Sequence, residues 1–219
     1  MDIIEAVKTR NSVRKYTDRR IDGHARRELQ NMIDTCNAEG HLHFQLVTDS
    51  PGVFEGIMAR GFDNVGNYVA LIRKKEDSDE KVGYYGEKVV LEAQMLGLNT
   101  CWVGLTYKKR KLDVQIKDDE KLVCVLALGY GSDQGTAHKS KDMGDLCVCP
   151  GEMPGWFRNG MESAMLAPTA MNQQKFRFTL NDDGSVRAET GKGPYATVDL
   201  GIAKLHFEIG AGKENFRWA

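Results

Sequence analysis

A displacement of 132 residues lays the second part of this 219-residue chain over the first without a gap. Leu29 falls on Met161, Met32 on Ala164, Ile33 on Met165, Phe44 on Phe176 and Leu46 on Phe178. Helix, loop and strand therefore share one phase in both copies, the mark of a supersecondary unit used twice. Shared phase alone can also arise between two unrelated amphipathic helix–strand units. The repeat predicts two related halves, with the boundary at Pro150 to Pro154, where two prolines and a glycine punctuate the chain. Residues 1–150 form the first half and 151–219 a shorter second half, the two packed together as one compact domain.

The first copy opens on Ile3, Ile4, Ala6 and Val7, a short apolar helix that Asp2 can cap. Arg10-Asn11-Ser12-Val13-Arg14 leaves that helix end with two guanidiniums around a hydroxyl. Such a donor set suits a phosphate, although basic residues at a helix C-terminus also complement its dipole. Apolar residues recur at helical spacing over His24 to Asn37, and Ala38 to His41 reads as a polar loop. Leu42 to Leu46 alternates as a half-buried strand, and Asn67 to Ile72 is a continuous apolar run expected at the centre of a sheet. Arg73 to Lys81 reads as a solvated connection, Val89 to Leu98 as a helix closed by Gly97, and Asn99 to Gly104 as an apolar turn. Leu122 to Leu128 is a strand that ends in Gly129-Tyr130-Gly131.

The second copy reads as a helix over Trp156 to Leu166 and a strand over Lys175 to Leu180. An Asp183-Gly184 hairpin turn follows, then a return strand over Ser185 to Thr190 and a helix over Val198 to Ile209. The copies differ in their special residues. Only the first has the Arg10 stretch, and only the second has Pro168 and Asn172, whose shifted partners are Cys36 and Gly40. One copy would supply a phosphate grip and the other a polar loop, giving one complete site per chain.

Charge excludes some partners. Thirty basic against 31 acidic residues give no electrostatic case for nucleic acid, and no apolar run approaches a membrane span. Cys36, Cys101, Cys124, Cys147 and Cys149 are an odd, scattered set that suits reduced thiols in a cytoplasmic protein. Cys147-Val148-Cys149 has no neighbouring ligand to complete a metal pattern, so no metal is expected. Neither a P-loop nor a strand–Gly-x-Gly-x-x-Gly–helix occurs, which speaks against nucleotide hydrolysis and a resident dinucleotide. His206 reads as a structural histidine, and Glu87 and Glu92 face no second carboxylate for paired acid/base work.

Several short pieces in order resemble the FMN-dependent nitroreductases, in a branch where two subunits look fused into one chain. They are Arg10-x-Ser12-x-Arg14, Leu96-Gly97-Leu98-x-Thr100-Cys101-Trp102-Val103-Gly104, Ala127-Leu128-Gly129-Tyr130-Gly131, Lys139-x-Lys141, Ala167-Pro168-Thr169-x-x-Asn172-x-Gln174, and Asp199-x-Gly201-Ile202-Ala203. The resemblance implies an α+β sandwich with a central, mainly antiparallel sheet flanked by helices, here as two pseudo-symmetric halves. It implies one FMN per chain, with Arg10 and Ser12 on the phosphate beside Lys139 and Lys141, and Arg14 at the pyrimidine edge. Backbone at Val103 and Gly104 would follow the N5 and O4 side. Trp102 reads as core packing or as a neighbour of the flavin. Pro168, Thr169 and Asn172 would face the isoalloxazine.

No side chain is expected to act as a catalyst, because the flavin carries the redox step. NAD(P)H would be the transient reductant and a small organic molecule, such as a nitroaromatic or quinone, the acceptor. The alternative is a module that binds or stores flavin without turnover. Lys175 stands where the family has proline, and Pro154 to Gly160 offers Arg158 alone as a second grip, so a second FMN is not expected. A monomer would suffice for the site, without excluding a homodimer.

Overall fold

The computed structural model describes residues 1–219, the side chain of Met58 excepted. Six helices and eight strands follow one another as α1 (Ile3–Thr9), α2 (Gly23–Gly40), β1 (Gln45–Val47), β2 (Asn67–Lys74), α3 (Asp79–Met95), β3 (Asn99–Val103), β4 (Glu120–Gly129), α4 (Met143–Leu146), β5 (Cys147–Val148), α5 (Gly155–Ala164), β6 (Phe176–Leu180), β7 (Ser185–Thr190), α6 (Ala196–Ala211) and β8 (Arg217–Trp218). The architecture is α+β, but the expected central sheet is two four-stranded sheets, ordered β1-β2-β4-β3 and β5-β6-β7-β8. Backbone contacts gather the chain into two compact units. One holds Arg10–Asp77 and Lys88–Ala137; the other holds Met1–Thr9, Ser78–Glu87 and His138–Ala219. This division differs from halves at residue 150, because α1 and the first part of α3 belong with the second sheet. No helix among the described residues is long and apolar enough to cross a membrane.

In the β1–β4 unit, β2 and β4 are central and antiparallel, and their runs from Tyr68 to Ile72 and Val123 to Leu128 are buried throughout. A strand covered on both faces loses polar alternation, which is why these two read as unbroken apolar runs. Asp22 caps α2, its carboxylate accepting from the His24 and Ala25 amides at 3.0 and 2.9 Å. The helix runs through Gly40 and closes at left-handed His41, so the expected loop from Ala38 is its last turn. Asn37 then fixes the entry to β1: its side chain accepts from the Phe44 amide at 2.7 Å and donates to the Phe44 carbonyl at 3.0 Å. Asn99 to Val103, expected as a turn, is the edge strand β3, paired with β4 from Asn99↔Gly129 to Val103↔Val125. Its two leading polar residues hide the alternation that sends Cys101 and Val103 into the core.

In the β5–β8 unit, β6 and β7 form the expected hairpin around Asp183 and Gly184. Phe178 of β6 stacks on Phe207 of α6 at 4.8 Å, and Phe207 meets Phe157 and Phe216 edge-on. Offset and edge contacts of this kind add to the area each ring buries. Cys147 lies in β5, parallel to β6 and opposite Phe178, which gives Cys147 a packing role. Two short strands, β5 and β8, escaped the sequence reading because two residues carry no period.

α6 crosses the first part of α3 within the same unit. A Cβ at Gly83 would land on the Val198 carbonyl oxygen, and one at Gly201 on the Glu80 carbonyl oxygen. Backbone meets backbone there, and only glycine leaves the room. Around the crossing, Lys204 pairs with Glu80 at 2.7 Å, the Tyr84 hydroxyl donates to Glu208 at 2.6 Å, and His206 Nε2 lies 2.9 Å from Glu87 Oε1. Gly83, Gly86 and the charged residues among them disguised the first turns of α3, which begins at Asp79 rather than near Val89. Gly83→Ala should cost roughly 1–3 kcal/mol in urea unfolding through overpacking. Gly144→Ala, whose added methyl meets nothing, should be neutral or slightly stabilising.

Candidate functional site

Arg10 to Arg14 is extended chain rather than the splayed end of a helix. α1 stops at Thr9, and Ser12 then bridges Thr100 of β3 in parallel, with the Val13 amide donating to the Thr100 carbonyl at 3.0 Å. Edge strands present unpaired backbone groups, and here the segment supplies their partners. Further along, the Asp63 amide donates to Arg14 O at 3.0 Å, Tyr16 N to Asp63 O at 3.1 Å, and Thr17 N to Tyr130 O at 2.8 Å. Gly131 is the close approach that permits this: a Cβ there would press on Val13 and the Asn99 amide. Val13 and Tyr16 are the anchors, both in the core of this unit.

That placement runs Arg10, Ser12 and Arg14 along the edge of β3, the strand that carries the buried Cys101 thiol. Burial raises the thiol's pKa, while the Arg14 charge, the hydrogen bond from Ser12 and the Arg10 charge pull it back. Arg10 is 5 % exposed, Ser12 half-buried and Arg14 exposed. Trp102 is half-buried, Val103 buried and Gly104 half-buried, all at the end of β3 in the same unit. Six of the sequence-derived candidates thus share this unit. A buried guanidinium beside a hydroxyl and a second guanidinium can neutralise a dianion such as a phosphate monoester.

The other five candidates lie in the β5–β8 unit, where they form a clasp. The 169–174 loop carries Met171, Asn172 and Gln174 in the left-handed region, at φ of 52°, 53° and 43°. Asn172 Nδ2 donates to the Lys139 carbonyl at 2.9 Å, and Gln174 Nε2 donates to the same carbonyl at 3.0 Å and to Asn172 Oδ1 at 2.7 Å. Lys141 Nζ donates to the carbonyls of Gln173 and Gln174 at 2.9 and 3.1 Å, and its amide to Gln174 Oε1 at 2.9 Å. Thr169 Oγ1 accepts from the Gln174 amide, and Pro168 is half-buried beside it. The Asn172 amide and the Lys141 ammonium therefore hold the loop's shape. His138 is placed likewise, its Nε2 donating to the Met165 carbonyl at 2.9 Å.

Of the buried carboxylates, Asp199 and Glu87 were given no site role from sequence. Asp199, 4 % exposed, accepts from the Ala170 amide at 3.0 and 3.1 Å and from Gln173 Nε2 at 2.7 Å. Burial outweighs these hydrogen bonds and pushes its carboxyl up to about 6. Glu87 and His206 are both 0 % exposed. His206 Nδ1 is 3.1 Å from the Ser163 carbonyl, which can only accept, so that nitrogen carries a proton and a second proton lies between Nε2 and Glu87. The expectation of a satisfied structural histidine holds, and its partner is the carboxylate for which the sequence offered none. Among the described residues no group of three His, Cys, Asp or Glu could hold a metal ion.

A family model described as "Putative TM nitroreductase" matches residues 2–211. The chain belongs to the nitroreductase family. Among solved structures, a putative nitroreductase from Thermotoga maritima MSB8 is 19% identical over 100% of this chain and 87% of its own, with a TM-score of 0.65. A putative nitroreductase from Desulfovibrio desulfuricans, in complex with FMN, is 16% identical over 67% of this chain and 95% of its own, with a TM-score of 0.53. These likenesses show the nitroreductase fold. Curated proteins gave no match.

Thiol accessibility checks the placement of Cys101 in this nitroreductase-family chain. Four of the five cysteines are buried and burial raises Cys36 to about 12, so only Cys149 should react readily with iodoacetamide at pH 8. Peptide mapping should find Cys36, Cys101, Cys124 and Cys147 modified at least ~10-fold more slowly until the chain is denatured.

Proposed function

We propose that the protein is an FMN-dependent oxidoreductase whose flavin phosphate is gripped in the β1–β4 unit by Arg10 and Ser12. The observation that carries this reading is the extended run from Arg10 to Arg14 laid along the edge of β3, with buried Arg10 and half-buried Ser12 two residues apart on it. A phosphate monoester is the group that such a donor set fits best. Arg14, further along the same extended chain and open to solvent, is assigned to the N1 and O2 edge of the flavin. Negative charge develops at that edge on reduction, so a cation there stabilises the reduced form more than the oxidised one. The backbone of Val103 and Gly104 is assigned to the N5 and O4 side. FMN when bound would supply hydride acceptance from NAD(P)H and electron delivery to a small acceptor, such as a nitroaromatic or quinone. Family membership and the FMN complex of the Desulfovibrio protein support the choice of cofactor.

We also infer that the chain is two versions of one unit. A displacement of 118 residues carries Glu80 onto Val198 and Gly83 onto Gly201, so the contacts Gly83 with Val198 and Gly201 with Glu80 exchange partners. That reciprocity is the signature of an isologous contact. The same displacement sets β2 on β7, α3 on α6 and β3 on β8. The displacement of 132 fits α2 on α5 and β1 on β6, and the difference falls between β1 and β2, where 48–66 is replaced by the turn after β6. The second version has no counterpart of Arg10-x-Ser12-x-Arg14, which argues for one FMN per chain.

The full chain incubated with FMN should turn yellow, and anaerobic NADH or NADPH should bleach it. Persistent colour would favour a flavin-storing module, and a colourless protein would overturn both readings. Arg10→Ala and Arg14→Ala should each weaken FMN binding roughly 10- to 100-fold, as loss of a charge-assisted hydrogen bond implies. Unchanged affinity would refute the assignment.

A further inference from the structure

We propose that the β1–β4 unit docks peripherally on anionic lipid bilayers through the paired loops at 53–59 and 105–111. Lys108, Lys109, Arg110 and Lys111 are four consecutive cations, the last three exposed on a single 3₁₀ turn. Neither the core nor the proposed flavin site uses them. Among the described residues the tetrad has one ion pair, Lys108 with the exposed Glu55 at 3.8 Å, and the nearest carboxylate along its own chain is Asp113. Exposed charge of one sign, left largely unbalanced, attracts an anionic surface.

Two apolar side chains stand in the same patch. Ile57 is 95 % exposed and Leu105 70 %, the highest values among the large apolar residues of this unit. The Lys108 amide donates to the Val53 carbonyl at 2.8 Å, and a Cβ at Gly56, next to Ile57, would lie 3.6 Å from Lys108 Cε. The two loops therefore form one surface. Beneath it Phe54 and Tyr107 are both buried, with ring centroids 6.2 Å apart, so each loop is pinned into the core of the unit.

The protruding tips favour a lipid surface over a protein one. A protein partner would need a matching pocket for each tip, whereas a headgroup layer admits a protruding side chain anywhere. Lysine and arginine stems meanwhile reach along the interface and keep their charges at the phosphates. One signal of either kind binds a bilayer only marginally, and here cations and apolar tips supply two. Docking of this kind needs no spanning helix and does not depend on flavin binding.

Co-sedimentation of the full chain with vesicles of equal parts phosphatidylcholine and phosphatidylglycerol tests it. Binding at ~50 mM salt should fall at least ~10-fold on phosphatidylcholine alone, and as much at ~500 mM salt. Arg110→Glu with Lys111→Glu should weaken it at least ~10-fold, and Ile57→Ser with Leu105→Ser ~3- to 10-fold. All four side chains are exposed, so both variants should unfold at the wild-type midpoint. No binding to the mixed vesicles at low salt, or wild-type binding by either variant, would overturn the proposal. Retention on immobilised polyglutamate without vesicle binding would also overturn it and mark an acidic protein as the partner.

Discussion

Two backbones touch where α3 crosses α6, and no side chain can stand between them. Gly83 and Gly201 fix that distance, and the contacts around it follow from the approach: Glu80 with Lys204, Tyr84 with Glu208, Glu87 with His206. The last pair is wholly buried, where removing one partner would leave a charge without water. On α6 the aromatic cluster about Phe207 is closed by Phe157 of α5 and Phe178 of β6. The second part of α3 belongs to the β1–β4 unit, so this one helix contributes to both cores.

The candidate chemistry divides along the same line. In the β1–β4 unit a run of five residues leaves its helix, straightens and adds to the edge of the sheet, so its backbone is held by pairing with Thr100 and Asp63 and by the buried Val13. Pre-organised donors lose little entropy when an anion arrives, which is the physical advantage of a strand over a frayed helix end. In the β5–β8 unit polar side chains are spent on shape. Asn172, Gln174 and Lys141 tie the loop to the 139–141 segment, and Asp199 ties it to α6. Under the proposed function a flavin occupies the first arrangement, and the second holds the loop against α6.

Much of the fold was legible because apolar periodicity was strong. Continuous runs gave β2 and β4, alternation gave β6, and the Asp183-Gly184 turn gave its hairpin. What failed has specific causes. Gly83 and Gly86 lowered the helical signal, at Gly83 because close packing leaves room for glycine alone, so α3 began ten residues before its apparent start. Asn99 and Thr100 masked β3 as a turn, although the Asn99 side chain accepts from the Gly131 amide and the Thr100 backbone pairs with Ser12 and Val13. The Arg10 stretch stood out as a donor-rich segment, yet its extended form was not legible, since pairing with Thr100 is a contact between residues about ninety apart. Asp199 was visible only as part of a motif. Its burial and its hold on Ala170 depend on how the loop folds back, which no local pattern encodes.

The count of FMN bound per chain tests the account most directly. After reconstitution with excess FMN and removal of free flavin by gel filtration, absorbance against protein concentration should give one FMN per chain. That value follows from the proposed grip, which one of the two inferred versions of the unit carries and the other lacks. No bound FMN would contradict the flavin assignment, and two per chain would contradict the unequal roles of the two versions.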